Sequence, residues 1–142
     1  MRFYKLNVQE SEKIYELCRD LIELKMCYNN VANVVLNHYS LFKIYKGIQI
    51  AYGGVSLAPA LEGAYAKHCF FIYEDMVIDP TAMFWDKDVQ ARDYVIARTF
   101  DFGEYIDNVS RSDGDASLEV VMRKPYRDLM IELQKDGKIL VG

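Results

Sequence analysis

The sequence predicts an α+β domain in which N-terminal helices pack on a largely antiparallel β-sheet. Two segments with helical spacing of apolar residues come first, and stretches rich in aromatic and β-branched residues follow, one of them folding back on itself at Glu74-Asp75. With 142 residues, 51% of them hydrophobic, the chain suffices for a single domain, residues 1–142, around one buried core.

Asn7 is followed three residues later by Glu10, a capping-box spacing, and Ile14, Leu17, Cys18, Leu21 and Ile22 then recur at helical intervals. This predicts an amphipathic helix over residues 8–24 with Cys18 on its apolar stripe. Asn29-Asn30 marks a break, after which Val31, Ala32, Val34, Val35 and Leu36 form a helix apolar on most sides and therefore buried. Cys27 falls at or just before its first turn, where unpaired N–H groups and the helix dipole favour a thiolate. Residues 44–57 read as a strand whose glycines, Gly47, Gly53 and Gly54, allow close backbone approach. Pro59 and Gly63 punctuate a loop. The hairpin of residues 67–79 carries large apolar groups on both faces, as strands covered on both sides do. Residues 94–102 read as a further strand, with a helix left open by periodicity alone, and residues 107–117 are polar enough for a surface loop. In the last segment Pro125 suits a first helical position, Tyr126, Leu129, Met130 and Leu133 line one face, and Gly137 can end the helix.

The hairpin brings chemistry together. If Glu74-Asp75 is a two-residue turn, Tyr73 pairs with Met76 and Phe70 lies opposite Asp79, so His68 and Asp79 share one face as diagonal neighbours about 7–8 Å apart at the backbone. A hydrogen bond between them is then in reach. Such a turn needs positive φ at two non-glycine residues, and the alternative, a loop one residue longer or shorter, sends His68 and Asp79 to opposite faces. A thiol, an imidazole and a carboxylate that fixes its tautomer are the groups of nucleophilic cysteine catalysis. Singly, each has an ordinary reading: Cys27 as packing, His68 as a satisfied strand residue, Asp79-Pro80-Thr81 as a turn.

The order of these groups resembles the papain-like superfamily of cysteine hydrolases, above all its transglutaminase-like branch and small bacterial and phage proteins related to it. Those proteins carry Cys-aromatic-x-Asn on a helix, then a His-led strand joined by a short turn to a strand ending in Asp-Pro. Here Cys27-Tyr28-Asn29-Asn30 and the run from His68 to Asp79-Pro80-Thr81 stand in those places, within residues 25–85. The resemblance implies a papain-like/transglutaminase-like core, with Cys27 as nucleophile, His68 as general base and acid, Asp79 as the orienting third member, and no cofactor. It implies a peptide, amide or protein substrate whose carbonyl is captured as a thioester and released to water or to an amine. The aliphatic stretch preceding Cys27 offers no glutamine to stabilise an oxyanion, which leaves the Cys27 backbone N–H with Asn30 or Tyr28 as candidate side-chain donors. The rival reading is a non-catalytic binding or inhibitor protein of phage or mobile-element origin, keeping the fold and using its surface against a host protein.

His38 lies eleven residues after Cys27 on the same helix, about 16 Å away, too far to be its base. A zinc site from Cys27, His38, His68, Cys69 and Asp79 is disfavoured because adjacent His68 and Cys69 point to opposite faces, so no metal is expected. Trp85 could wall a substrate groove or anchor the core. Cys18, Cys27 and Cys69 lack paired spacing and read as reduced thiols. A net charge of −4 argues against nucleic-acid and anionic-membrane partners. The first residues lack the apolar stretch of a signal peptide and no run approaches a membrane span, so a cytoplasmic location is expected.

Overall fold

Five strands form the sheet that the hairpin organises. The computed structural model describes residues 1–142 apart from the side chains of residues 88 and 89. Helices α1 (Val8–Leu17), α2 (Cys27–Asn37) and α3 (Leu41–Ile44) precede strands β1 (Gln49–Ser56), β2 (Ala64–Tyr73) and β3 (Met76–Ile78). A 3-10 turn, Pro80–Phe84, and α4 (Lys87–Gln90) lead to β4 (Tyr94–Phe100), α5 (Phe102–Arg111), α6 (Arg123–Lys135) and β5 (Ile139–Val141). The strand order is β3-β2-β1-β4, all antiparallel, and β5 joins β2 in parallel beside Ala64, Tyr65 and Ala66.

Alternation along β2 divides the buried residues into two clusters. Tyr65, Cys69 and Phe71 join Ile50, Tyr52 and helix residues such as Ile14, Val34, Leu129 and Leu133 in the larger one. Phe70 packs with Ala51, Val55, Val77 and Tyr94 in the smaller, which Leu6 and Ala82 cover. The hairpin is therefore buried on both sides, as its apolar composition predicts. Gly53 has a specific reason to be glycine: a Cβ there would run into the Val95 carbonyl, at the point where the β1–β4 register shifts.

Several boundaries differ from the sequence reading. The first helix stops at Leu17 rather than running to residue 24; Cys18 caps it, a 3-10 turn over Arg19–Leu21 follows, and Ile22 stays buried. The cause is a long-range tie, since the Asn30 side chain accepts from the Glu23 N–H and donates to the Glu23 carbonyl, holding that backbone outside a helix. Asn7 accepts from the Glu10 N–H at 3.1 Å, but the Glu10 carboxylate engages Lys13 and Tyr45 instead of closing the capping box. The strand expected from residue 44 begins at Gln49, because Leu41–Ile44 form a helical turn. The strand expected to residue 102 ends at Phe100, and the first part of the segment expected as a loop at 107–117, up to Arg111, lies in α5, which Asp101 and Glu104 open with a full capping box. The last helix starts at Arg123, two residues before Pro125, and Gly137, at φ 70°, ends it.

Candidate active site

The turn between β2 and β3 is the two-residue one. Tyr73 pairs with Met76, Ile72 with Val77 and Phe71 with Ile78, and Glu74 and Asp75 take φ of 49° and 63°. Both central residues thus adopt the left-handed conformation that the native twist of a hairpin requires. Pairing stops at Ile78, and Asp79 changes role from strand to cap. One carboxylate oxygen, Oδ1, accepts from the Thr81 N–H at 3.1 Å, with Pro80 opening the 3-10 turn. The backbone N–H of Asp79 donates to Ser11 Oγ at 2.9 Å, which fixes the strand end to α1.

Those restraints aim Oδ2 at His68. The His68 Nε2–H donates to it at 2.6 Å, and the Tyr94 hydroxyl donates to the same oxygen at 2.8 Å. Asp79 is 0% exposed and His68 5%, so the pair sits outside bulk water. Phe70, Trp85 and Tyr94 surround the imidazole with ring centroids 5.9, 5.5 and 6.1 Å away. Burial alone would lower the proton affinity of the ring, yet the charge and hydrogen bond of Asp79, with a further contribution from the Cys27 sulfur, carry it up to about 10. The imidazole is held in its charged form at neutral pH. With Nε2 committed to Asp79, Nδ1 is the nitrogen left for Cys27.

Cys27 is the first residue of α2 and half-buried. The Asn30 N–H makes the first helical bond, to the Met26 carbonyl at 2.7 Å, which leaves the N–H groups of Cys27, Tyr28 and Asn29 without helical partners. The thiol is among the groups whose proximity raises the ring's proton affinity. Both groups open on one cavity of about 310 Å³, which Thr81 and Trp85 also line. The other two thiols differ: Cys18 and Cys69 are buried, and burial pushes both thiols up, Cys69 well above the ordinary value.

The remaining sequence candidates separate on geometry. Asn30 is buried, and its two amide hydrogens go to the Glu23 carbonyl and Thr81 Oγ1 at 2.7 and 2.9 Å, so in this position it has no donor to offer a substrate. Tyr28 turns away from the cavity: its ring stacks on Tyr52 at 5.8 Å and its hydroxyl meets that of Tyr126 at 3.3 Å. Trp85 lines the cavity and packs on the smaller cluster. His38 caps the far end of α2 from Cys27. Among the described residues no three His, Cys, Asp or Glu side chains gather as metal ligands. Also among them, no helix is long and apolar enough to cross a membrane. Sequence reading missed Tyr94 and Ser11, which reach Asp79 from β4 and α1; no local pattern marks either. Compared with protein-family models, with curated proteins and with solved structures, the chain finds no match in any of the three.

Proposed function

We propose that the protein is an acyl-transfer enzyme of peptidase, amidase or transglutaminase type, in which Cys27, His68 and Asp79 act as a catalytic triad on a papain-like, transglutaminase-like core. One observation carries this reading: a buried imidazole, hydrogen-bonded at 2.6 Å to a carboxylate, opens on the same cavity as a thiol at a helix N-terminus. The Cys27 sulfur attacks a substrate carbonyl carbon, the carbonyl π pair moves to oxygen, and the oxyanion forms beside the free N–H of Cys27. His68 then protonates the leaving amine as the C–N bond breaks, giving a thioester. Water or an amine, deprotonated by His68, attacks the thioester and frees the thiol. Asp79 holds the Nε2–H throughout and stabilises the charged ring, and Trp85 packs beside it.

Three free thiols fit a reducing cytoplasm, and a cavity of about 310 Å³ over the thiol fits part of a peptide, amide or protein substrate. The test is labelling with a panel of cysteine-directed peptidyl acyloxymethyl ketones, read by peptide mass spectrometry. Adducts are expected on Cys27 and lost in His68→Ala. Labelling of Cys18 or Cys69 instead, or none across the panel, would overturn the reading and favour the non-catalytic binding protein.

A further inference from the structure

The cavity over Cys27 carries a charge that the chain as a whole does not. The protein has 17 basic and 21 acidic residues, a net −4, yet Lys25, Lys67 and Arg92 line this cavity and, among the described residues, no carboxylate does. Lys67 also lines an adjoining pocket of about 400 Å³, where Arg123 and Arg127 outnumber Glu119. None of these five cations has an ion-pair partner among the described residues, whereas seven lysine and arginine side chains elsewhere in the chain are paired. Two are held in place by other contacts: Arg92 donates from Nε to the Ala58 carbonyl at 3.0 Å, which leaves the outer nitrogens of its guanidinium for a ligand, and the Lys67 ammonium lies 4.9 Å from the Tyr126 ring centroid.

We propose that this site takes an acidic peptide, with carboxylate side chains flanking the reacting carbonyl in the Lys25, Lys67 and Arg92 cavity and a further acidic residue reaching Arg123 and Arg127. The inference rests on the acyl-transfer reading. Thiol attack consumes an acyl carbon, which a peptide supplies and a nucleic acid, equally anionic, does not. Val55, Leu57 and Trp85 give the same cavity apolar wall for the backbone and side-chain stems.

The experiment compares the alkylation of Cys27 by iodoacetate and by iodoacetamide at neutral pH and low salt, in the whole protein, with an unfolded cysteine peptide as reference. Each nearby cation is worth about threefold in favour of the anionic reagent at a separation of about 6 Å in water. With three such cations the iodoacetate-to-iodoacetamide rate ratio is therefore expected about thirtyfold above the reference, and to collapse at high salt. Lys25→Gln and Lys67→Gln should each lower the ratio about threefold, and Arg92→Gln added to both should bring it lower still. The His68 cation is common to all of these proteins, so the fall belongs to the replaced residues. Poly-glutamate should protect Cys27 from iodoacetamide. A ratio at the reference value that the variants leave unchanged, or protection by an oligonucleotide and not by poly-glutamate, overturns the acidic-peptide inference. Either can occur while iodoacetamide labelling still depends on His68, so this failure is distinct from failure of the acyl-transfer reading, in which that dependence itself is missing.

Discussion

His68 Nε2 and Asp79 Oδ2 lie 2.6 Å apart across eleven residues of chain, and the turn between them, Glu74-Asp75, has positive φ at both positions. The contact depends on that turn having two residues and no more, because a shift of one would move one partner to the other face of the sheet. A conformation unfavourable at Glu74 is thus maintained by the packing of both faces of the hairpin.

Asp79→Asn should separate the charge of the carboxylate from its capping role. Asparagine can still accept from the Thr81 N–H, but its amide then faces His68 and Tyr94, which both donate to Oδ2 in the native protein. The imidazole has to turn Nε2 into an acceptor, which puts its proton on Nδ1 toward the thiol. Reactivity of Cys27 toward a peptidyl acyloxymethyl ketone is expected to fall about 1,000-fold or more. Because Asp79 is fully buried, urea unfolding should also show a loss of about 1–3 kcal/mol. Wild-type labelling rates in this variant would remove Asp79 from the mechanism.

Cys27 should be the first thiol modified by limiting iodoacetamide in the folded protein. Cys18 and Cys69 are 2% and 0% exposed and burial raises both thiols, so each is both shielded and mostly protonated at neutral pH. His68→Ala should slow the reaction at Cys27 without exposing the other two. Tryptic mapping after short exposure decides the order, and prior modification of Cys18 or Cys69 would contradict the site.

How much of this was legible in the chain depends on the distance over which each feature is determined. The hairpin register could be read because the turn and both strands lie within about a dozen residues, and Gly137 as a helix end is equally local. Helix α5 had a readable start in Asp101 and Glu104, but the polar residues after it outweighed that signal. The early end of α1 follows from Asn30 gripping Glu23, and β5 from pairing with β2 far upstream; neither leaves a mark in its own segment. The same holds at the site. Cys27, His68 and Asp79 are chemically conspicuous, whereas Ser11 and Tyr94 become part of it only once α1 and β4 are placed.

Stability should fall as the pH rises from about 6.5 to about 8, and His68 should account for the slope. The ring's pKa is raised in the folded protein to about 10, above its ordinary 6.5, so above pH 6.5 the native state keeps a proton that the unfolded chain releases. That contribution is complete below about 6.5 and is lost progressively as the pH approaches 10. Above about pH 8 unfolded thiols begin to ionise and add their own slope, which is why the lower window isolates His68. Urea midpoints at pH 6.5 and 8 should decline in the native protein and stay level in His68→Gln. A native midpoint that rises over this window would mean that the ring is neutral in the folded state.

Replacing Glu74-Asp75 by Asn-Gly should stabilise the protein while leaving the site intact. Asparagine and glycine adopt the left-handed conformations at these two positions with less strain than glutamate and aspartate, and Asn-Gly is the preferred pair for a two-residue hairpin turn. The exposed ion pair between Arg2 and Asp75 is lost, but such pairs contribute little. A net gain of about 1 kcal/mol, or about 3–4 °C in Tm, is expected. Neither side chain reaches the cavity, so the rate of Cys27 alkylation should match the native protein. A loss of stability, or a change in that rate, would mean that the native turn side chains hold the register of the hairpin themselves, and that the His68–Asp79 contact depends on them.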